Sequence, residues 1–117
     1  MLIRAVEPLD GIELMRRRRS ARAARRDNGP RVCSDALRGA LKLEDLARGP
    51  GRLCEAFAID HTLDGWDLTR GEELWIGKMR AGTSQAAQIE RATRIGVTSA
   101  RDLLLRFFVA DSDFVST

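Results

Sequence analysis

The apolar positions of this 117-residue chain change period several times along its length. Residues 2–6 alternate and include β-formers, which predicts a strand that Pro8 ends. Asp10-Gly11 reads as a turn, with Asp10 able to cap a helix from about Ile12 to Arg26. Ile12, Leu14 and Met15 are the apolar start of that helix, and Asp27-Asn28-Gly29-Pro30 stops it. Ser34 caps a second predicted helix, with Ala36, Leu37, Ala40, Leu41 and Leu43 inward and Gly39 as its weak point. After the break at Arg48-Gly49-Pro50-Gly51, a third helix starts near Gly51 and carries Leu53, Cys54, Phe57 and Ala58 on its buried side. Asp64-Gly65 is another turn, and Glu73-Leu74-Trp75-Ile76 reads as a short strand. Residues 77–91, rich in Gly, Ala, Ser, Thr and Gln, read as a surface loop. Arg94-Ile95-Gly96-Val97 returns to the core, and Leu103 to Val109 suits a buried strand interrupted by Arg106. Helices and strands mix without a βαβ rhythm, so the expected architecture is a single α+β domain over residues 1–117.

Composition adds bounds. A hydrophobic content of 44% and a charged content of 32% are those of an ordinary globular chain. No stretch approaches the roughly 20 apolar residues of a membrane span. The N-terminus MLIRAVEPLDG has no apolar core of a secretory signal, so residence in the cytoplasm is expected, with Cys33 and Cys54 as reduced thiols. The net charge of +3 is unevenly spread: residues 12–31 hold eight arginines against Glu13 and Asp27. That asymmetry suits a polyanion partner, and equally a solvated arginine-rich helix. Two cysteines and one histidine at unrelated spacings make no zinc site, and no phosphate loop or hydrolase motif is present.

Several short motifs occur in a fixed order. They are Leu2-Ile3-Arg4-Ala5-Val6-Glu7-Pro8-Leu9-Asp10-Gly11, the helix opening Glu13-Leu14-Met15-Arg16, and Gly49-Pro50-Gly51-Arg52-Leu53-Cys54-Glu55-Ala56-Phe57. Asp64-Gly65 with Asp67-Leu68 is similar to an NGxDL turn, and Glu73 to Ile76 to the strand after it. Arg94 to Val97 is similar to RIGI or RVGV. Arg106 to Val109 with Phe114-Val115-Ser116 is similar to RFYxxGSPFVS. Together they resemble the alkyladenine (3-methyladenine) DNA glycosylase family, monofunctional enzymes that remove alkylated purines, from Leu2 to Ser116.

The resemblance implies a mixed fold with a curved, mainly antiparallel sheet and several short helices. It implies a hydrolase of base excision repair that acts on duplex DNA with no metal and no organic cofactor. In such a reaction the damaged purine is rotated out of the duplex, and a carboxylate activates a water that attacks the anomeric carbon. The family's water-holding strand arginine corresponds to Arg4, and its water-holding backbone carbonyl to Ile95. Gly96 would let the chain pass close to the nucleotide. Arg16, Arg17, Arg18, Arg19 and Arg52 are candidate phosphate contacts, and Gly51 stands where a helix start leaves backbone N–H groups for an anion. Plainer readings stand beside these. Arg4 suits a strand arginine paired with Glu7 or another acid, and Gly49 to Arg52 a simple helix cap. Cys54 suits a buried apolar position, His61 the surface, and Trp66 and Trp75 packing.

The resemblance also implies what these residues lack. The family's catalytic Glu, its stacking tyrosine and histidine and its wedge tyrosine belong before the strand matching residues 2–6, and this chain has no Tyr. Glu7 matches a structural position. Asp111 and Asp113 stand where Gly and Pro are usual. The expectation is therefore the C-terminal portion of the glycosylase domain, without a general base and inactive alone. It would have an open sheet edge where a missing N-terminal half would pack. The alternatives are a non-catalytic basic DNA-binding remnant and one half of a split glycosylase.

Overall fold

The computed structural model describes residues 2–26, 41–78, 88–100 and 102–115, with the backbone alone for residues 22–26. The expected stop at Asp27 to Pro30, the helix capped by Ser34, Cys33, residues 79–87 of the expected loop and Ser116 lie outside them. The elements are mixed α and β: helix α1 (Ile12–Arg26), helix α2 (Pro50–Phe57), and the antiparallel strands β1 (Ile89–Ala92) and β2 (Arg106–Val109). Short 3₁₀ turns occupy Leu43–Asp45 and His61–Leu63. The chain divides into two compact units, Met1–Gly65 with Asp113–Thr117, and Trp66–Ser112. No helix among the described residues is long and apolar enough to cross a membrane.

In the first unit α1 packs on α2. Ile12, Met15, Arg16, Arg19 and Ser20 follow the three- and four-residue spacing of one helical face, and all are buried or half-buried. Leu14 points away from that face and is exposed. Gly11 is the N-cap, since its carbonyl accepts the Met15 N–H at 3.0 Å. The Asp10 carboxylate does not cap the first turn as expected: it accepts from the adjacent Gly11 N–H at 2.7 Å. The core is small, with Met15, Leu46 and Ala56 at its centre and Ile12, Leu41 and Leu43 against it. Leu43 belongs to a 3₁₀ turn and not to the helix expected there.

The strand expected at residues 2–6 is reduced to a single antiparallel bridge, Ala5 to Arg48. Among the described residues its one neighbour is the chain entering α2, which curls into a helix two residues later and ends the pairing. α2 starts at Pro50, whose missing N–H costs nothing in a first turn. It ends where Ala58 turns left-handed at φ 57° and the Ile59 N–H closes on the Cys54 carbonyl at 2.8 Å. This corrects its expected inward face: Leu53 and Ala56 are buried, Cys54 is half-buried, and Phe57 and Ala58 are exposed.

The second unit, described by itself, holds the β-hairpin. Ile89 pairs with Val109, Glu90 with Phe108, Arg91 with Phe107 and Ala92 with Arg106. Part of the expected surface loop is thus strand β1. The buried strand expected from Leu103 to Val109 starts only at Arg106, and it is not deeply buried: Phe107 is 57% exposed and Leu104 55%. Two strands cannot cover both faces of the ribbon. Glu73 to Ile76 forms no ladder. The Ile76 N–H reaches the Leu68 carbonyl at 2.9 Å, and the Trp66 indole donates to the Leu74 carbonyl at 3.1 Å, closing a loop instead. The Arg94 to Val97 segment does not return to a core, since Ile95 is exposed and Val97 only half-buried.

An arginine-lined groove at a helix start

The two leading sequence motifs meet in the first unit. The Gly49 N–H donates to the Arg4 carbonyl at 2.9 Å, and the Gly49 carbonyl accepts the Leu53 N–H of the first turn of α2, also at 2.9 Å. Gly49 does this at φ 119° and ψ 149°, a conformation almost closed to residues with a Cβ. With the Gly49 amide used and no amide on Pro50, the N–H groups of Gly51 and Arg52 are those that the helix leaves over in this turn.

An open groove of about 1230 Å³ lies along this helix start. Arg18, Arg19, Arg48 and Arg52 line it, with Gly49, Pro50 and Gly51. Cys54 also lines it, so the side chain expected to be buried is half-buried on a groove that arginines line. Three of the four arginines have a defined partner. Arg18 donates to the Ala56 carbonyl at 3.0 Å, near the C-terminal end of α2. Arg19 meets the Glu55 carboxylate at 2.7 Å, with side chains only 14% and 17% exposed. Arg52 meets Asp45 at 2.7 Å in a more exposed setting.

The remaining candidates are placed as follows. Arg16 pairs with Glu13 at 2.9 Å within α1, and Arg17 is exposed. Neither lines the groove, which gathers Arg18, Arg19, Gly51 and Arg52 from the candidate set. Arg4 is half-buried and tied to the groove's edge through its carbonyl. Ile95 and Gly96 belong to the second unit, where Gly96 has φ 71°, a left-handed backbone that glycine adopts without steric cost. Arg48 lines the groove although it is not among the sequence candidates. The signal for it was present, a basic side chain directly before Gly-Pro-Gly, but it was read only as part of a chain break.

Two exposed carboxylates are shifted. The Thr62 hydroxyl, at 2.6 Å, and then the Thr62 N–H, at 2.9 Å, hold Asp60 below the usual aspartate value. The Thr69 hydroxyl, at 2.7 Å, and then its N–H, at 2.9 Å, do the same for Asp67. Both favour the charged form by donating to it. Asp60 lies on the groove; Asp67 stabilises the turn that resembles NGxDL. His61 is exposed as expected. The groove can therefore offer backbone amides and positive charge, which suits the binding of a phosphate-bearing chain.

Residues 1–113 match the family model described as methylpurine-DNA glycosylase. A Mesorhizobium japonicum relative, assigned by name to the 3-methyladenine DNA glycosylases, is 46% identical over 116 residues, 99% of this chain and 45% of the relative. The human DNA-3-methyladenine glycosylase is 37% identical over 119 residues, covering 99% of this chain and 36% of its own length. The mouse DNA-3-methyladenine glycosylase is 35% identical, with 99% and 33% covered. The chain spans less than half the length of each of these relatives.

Proposed function

Because the chain belongs to the methylpurine-DNA glycosylase family, we propose that it takes part in the hydrolytic excision of alkylated purines from double-stranded DNA, a step of base excision repair. The observation that carries this reading is the family match across residues 1–113. In it, Arg4 is a water-positioning residue, Ile95 contributes a backbone carbonyl, and Gly96 allows the nucleotide's close approach. Arg16, Arg17, Arg18, Arg19, Gly51 and Arg52 serve the DNA backbone. The hydrogen bond between Gly49 and Arg4 supports the first part, since it fixes the Arg4 backbone against a helix start suited to phosphate. Residence in the cytoplasm is part of the same proposal.

The family's water-activating carboxylate matches no residue between 1 and 117. A positioned base contributes about 10²–10⁴-fold, so the 117-residue polypeptide is expected to release no base by itself, and the general base comes from sequence outside it. The test is a chimera in which these residues replace the matching stretch of the human relative. It is assayed for single-turnover release of 3-methyladenine and hypoxanthine from duplex DNA. Release that is abolished by Arg4→Ala is the expected result. A folded chimera that binds duplex DNA and releases nothing would leave the DNA-binding remnant as the better reading. Vigorous release by residues 1–117 alone would remove the assignment of the general base.

A further inference from the structure

We propose that Arg48 is a phosphodiester-binding residue, an assignment that rests on the glycosylase reading and adds a contact to it. The groove's four arginines are not equivalent. Binding a DNA phosphate through Arg19 would draw that arginine from a charged, nearly buried Glu55. Binding through Arg18 would release the Ala56 carbonyl near the end of α2. Binding through Arg52 would bring phosphate against Asp45. Arg48 carries no such commitment: among the described residues its guanidinium has no ion pair and no hydrogen bond. The groove's two carboxylates are both engaged, Glu55 by Arg19 and Asp60 by Thr62, so neither is spent on Arg48.

Its backbone is also fixed. Arg48 pairs with Ala5 in the antiparallel bridge, and the next residue bonds to Arg4. The side chain therefore springs from a held point beside the leftover amides of Gly51 and Arg52, at the positive end of α2. An oxygen of a phosphodiester takes both kinds of contact, a charge and backbone N–H donors. A longer nucleic acid strand would gain the same contact wherever it crossed the groove.

The experiment titrates the 117-residue protein with labelled duplex DNA over a range of salt concentrations, alongside Arg48→Gln and Arg70→Gln, each also melted thermally. Loss of one phosphate contact makes the slope of log K against log salt shallower by about 0.9. Arg48→Gln is expected to show that change with an unaltered melting temperature. Arg70→Gln, at an exposed arginine paired with Asp67 and not on the groove, is expected to keep the wild-type slope. A wild-type slope in Arg48→Gln, or an equal change in both variants, overturns the assignment while leaving DNA binding intact. A wild-type protein that fails to bind duplex DNA even at low salt overturns the assignment and the glycosylase reading together.

Discussion

Gly49 joins two parts of the first unit through one residue. Its backbone, at φ 119° and ψ 149°, is open to glycine and strained for anything else. A Cβ added there would meet nothing within 4 Å, so the strain is in the backbone and not in a clash. Gly49→Ala is expected to destabilise the chain by about 1–3 kcal/mol, measured by urea unfolding, and to shift the Arg4 and Ala5 amide resonances. Gly51→Ala, in helical conformation, is the control; equal midpoints for the two variants would contradict the assignment. Asp60 and Asp67 make a second prediction. Their pKa values are depressed by threonine donors, so their contribution is complete above the unfolded value of about 3.9. It is lost as pH falls through the lower folded values. In an NMR titration Thr69→Ala should raise the Asp67 midpoint and leave that of Asp60 unchanged. Asp111 shows how a departure from the family pattern is tolerated: it has φ 54°, a left-handed position where Gly is usual and which Asp reaches more readily than most residues.

At the scale of elements, α1 is held by a face that is apolar only at its start and continues through Arg16, Arg19 and Ser20. The Ser20 side chain is 1% exposed, and its hydroxyl has no hydrogen-bond partner among the described residues. Leaving a buried hydroxyl unmet costs about 1–3 kcal/mol, and Ala is the better helix former. Ser20→Ala is therefore expected to raise the melting temperature, corresponding to roughly 1 kcal/mol; a lowered one would mean that the hydroxyl is satisfied. α1 was legible from the Asp10-Gly11 turn and the apolar start that follows it, and α2 from Gly-Pro-Gly, because turns and breaks are local chemistry. The strands were not. Whether residues 2–6 or 73–76 form a ladder depends on a partner far along the chain, and alternation alone does not supply one. Apolarity likewise placed Leu103 to Val109 inside, although the ribbon leaves one face open. Residue types marked the arginines as a group, but only geometry separated Arg48 from those already engaged.

At the scale of the whole molecule, the second unit presents much apolar surface. Ile89 is 59% exposed and Phe107 57%, on the same face of the ribbon as half-exposed Val109. Arg91 lies over Phe107 with 5.2 Å to the ring centroid, so a charge partly screens that face. Apolar patches of this kind favour association. The polypeptide of residues 1–117 is expected to sediment faster as its concentration rises, and Phe107→Lys to weaken the effect; a monomer at every concentration would contradict it. The tie between Arg4 and Gly49 has a temporal side as well. Its two ends lie about 45 positions apart in the chain. At synthesis rates of about 5–20 residues per second, Arg4 is made on the order of several seconds before Gly49, and α1 emerges from the ribosome before α2. Helix formation is far faster than that, so α1 waits with its inner face unmet until α2 emerges, and the first unit is completed from its later end.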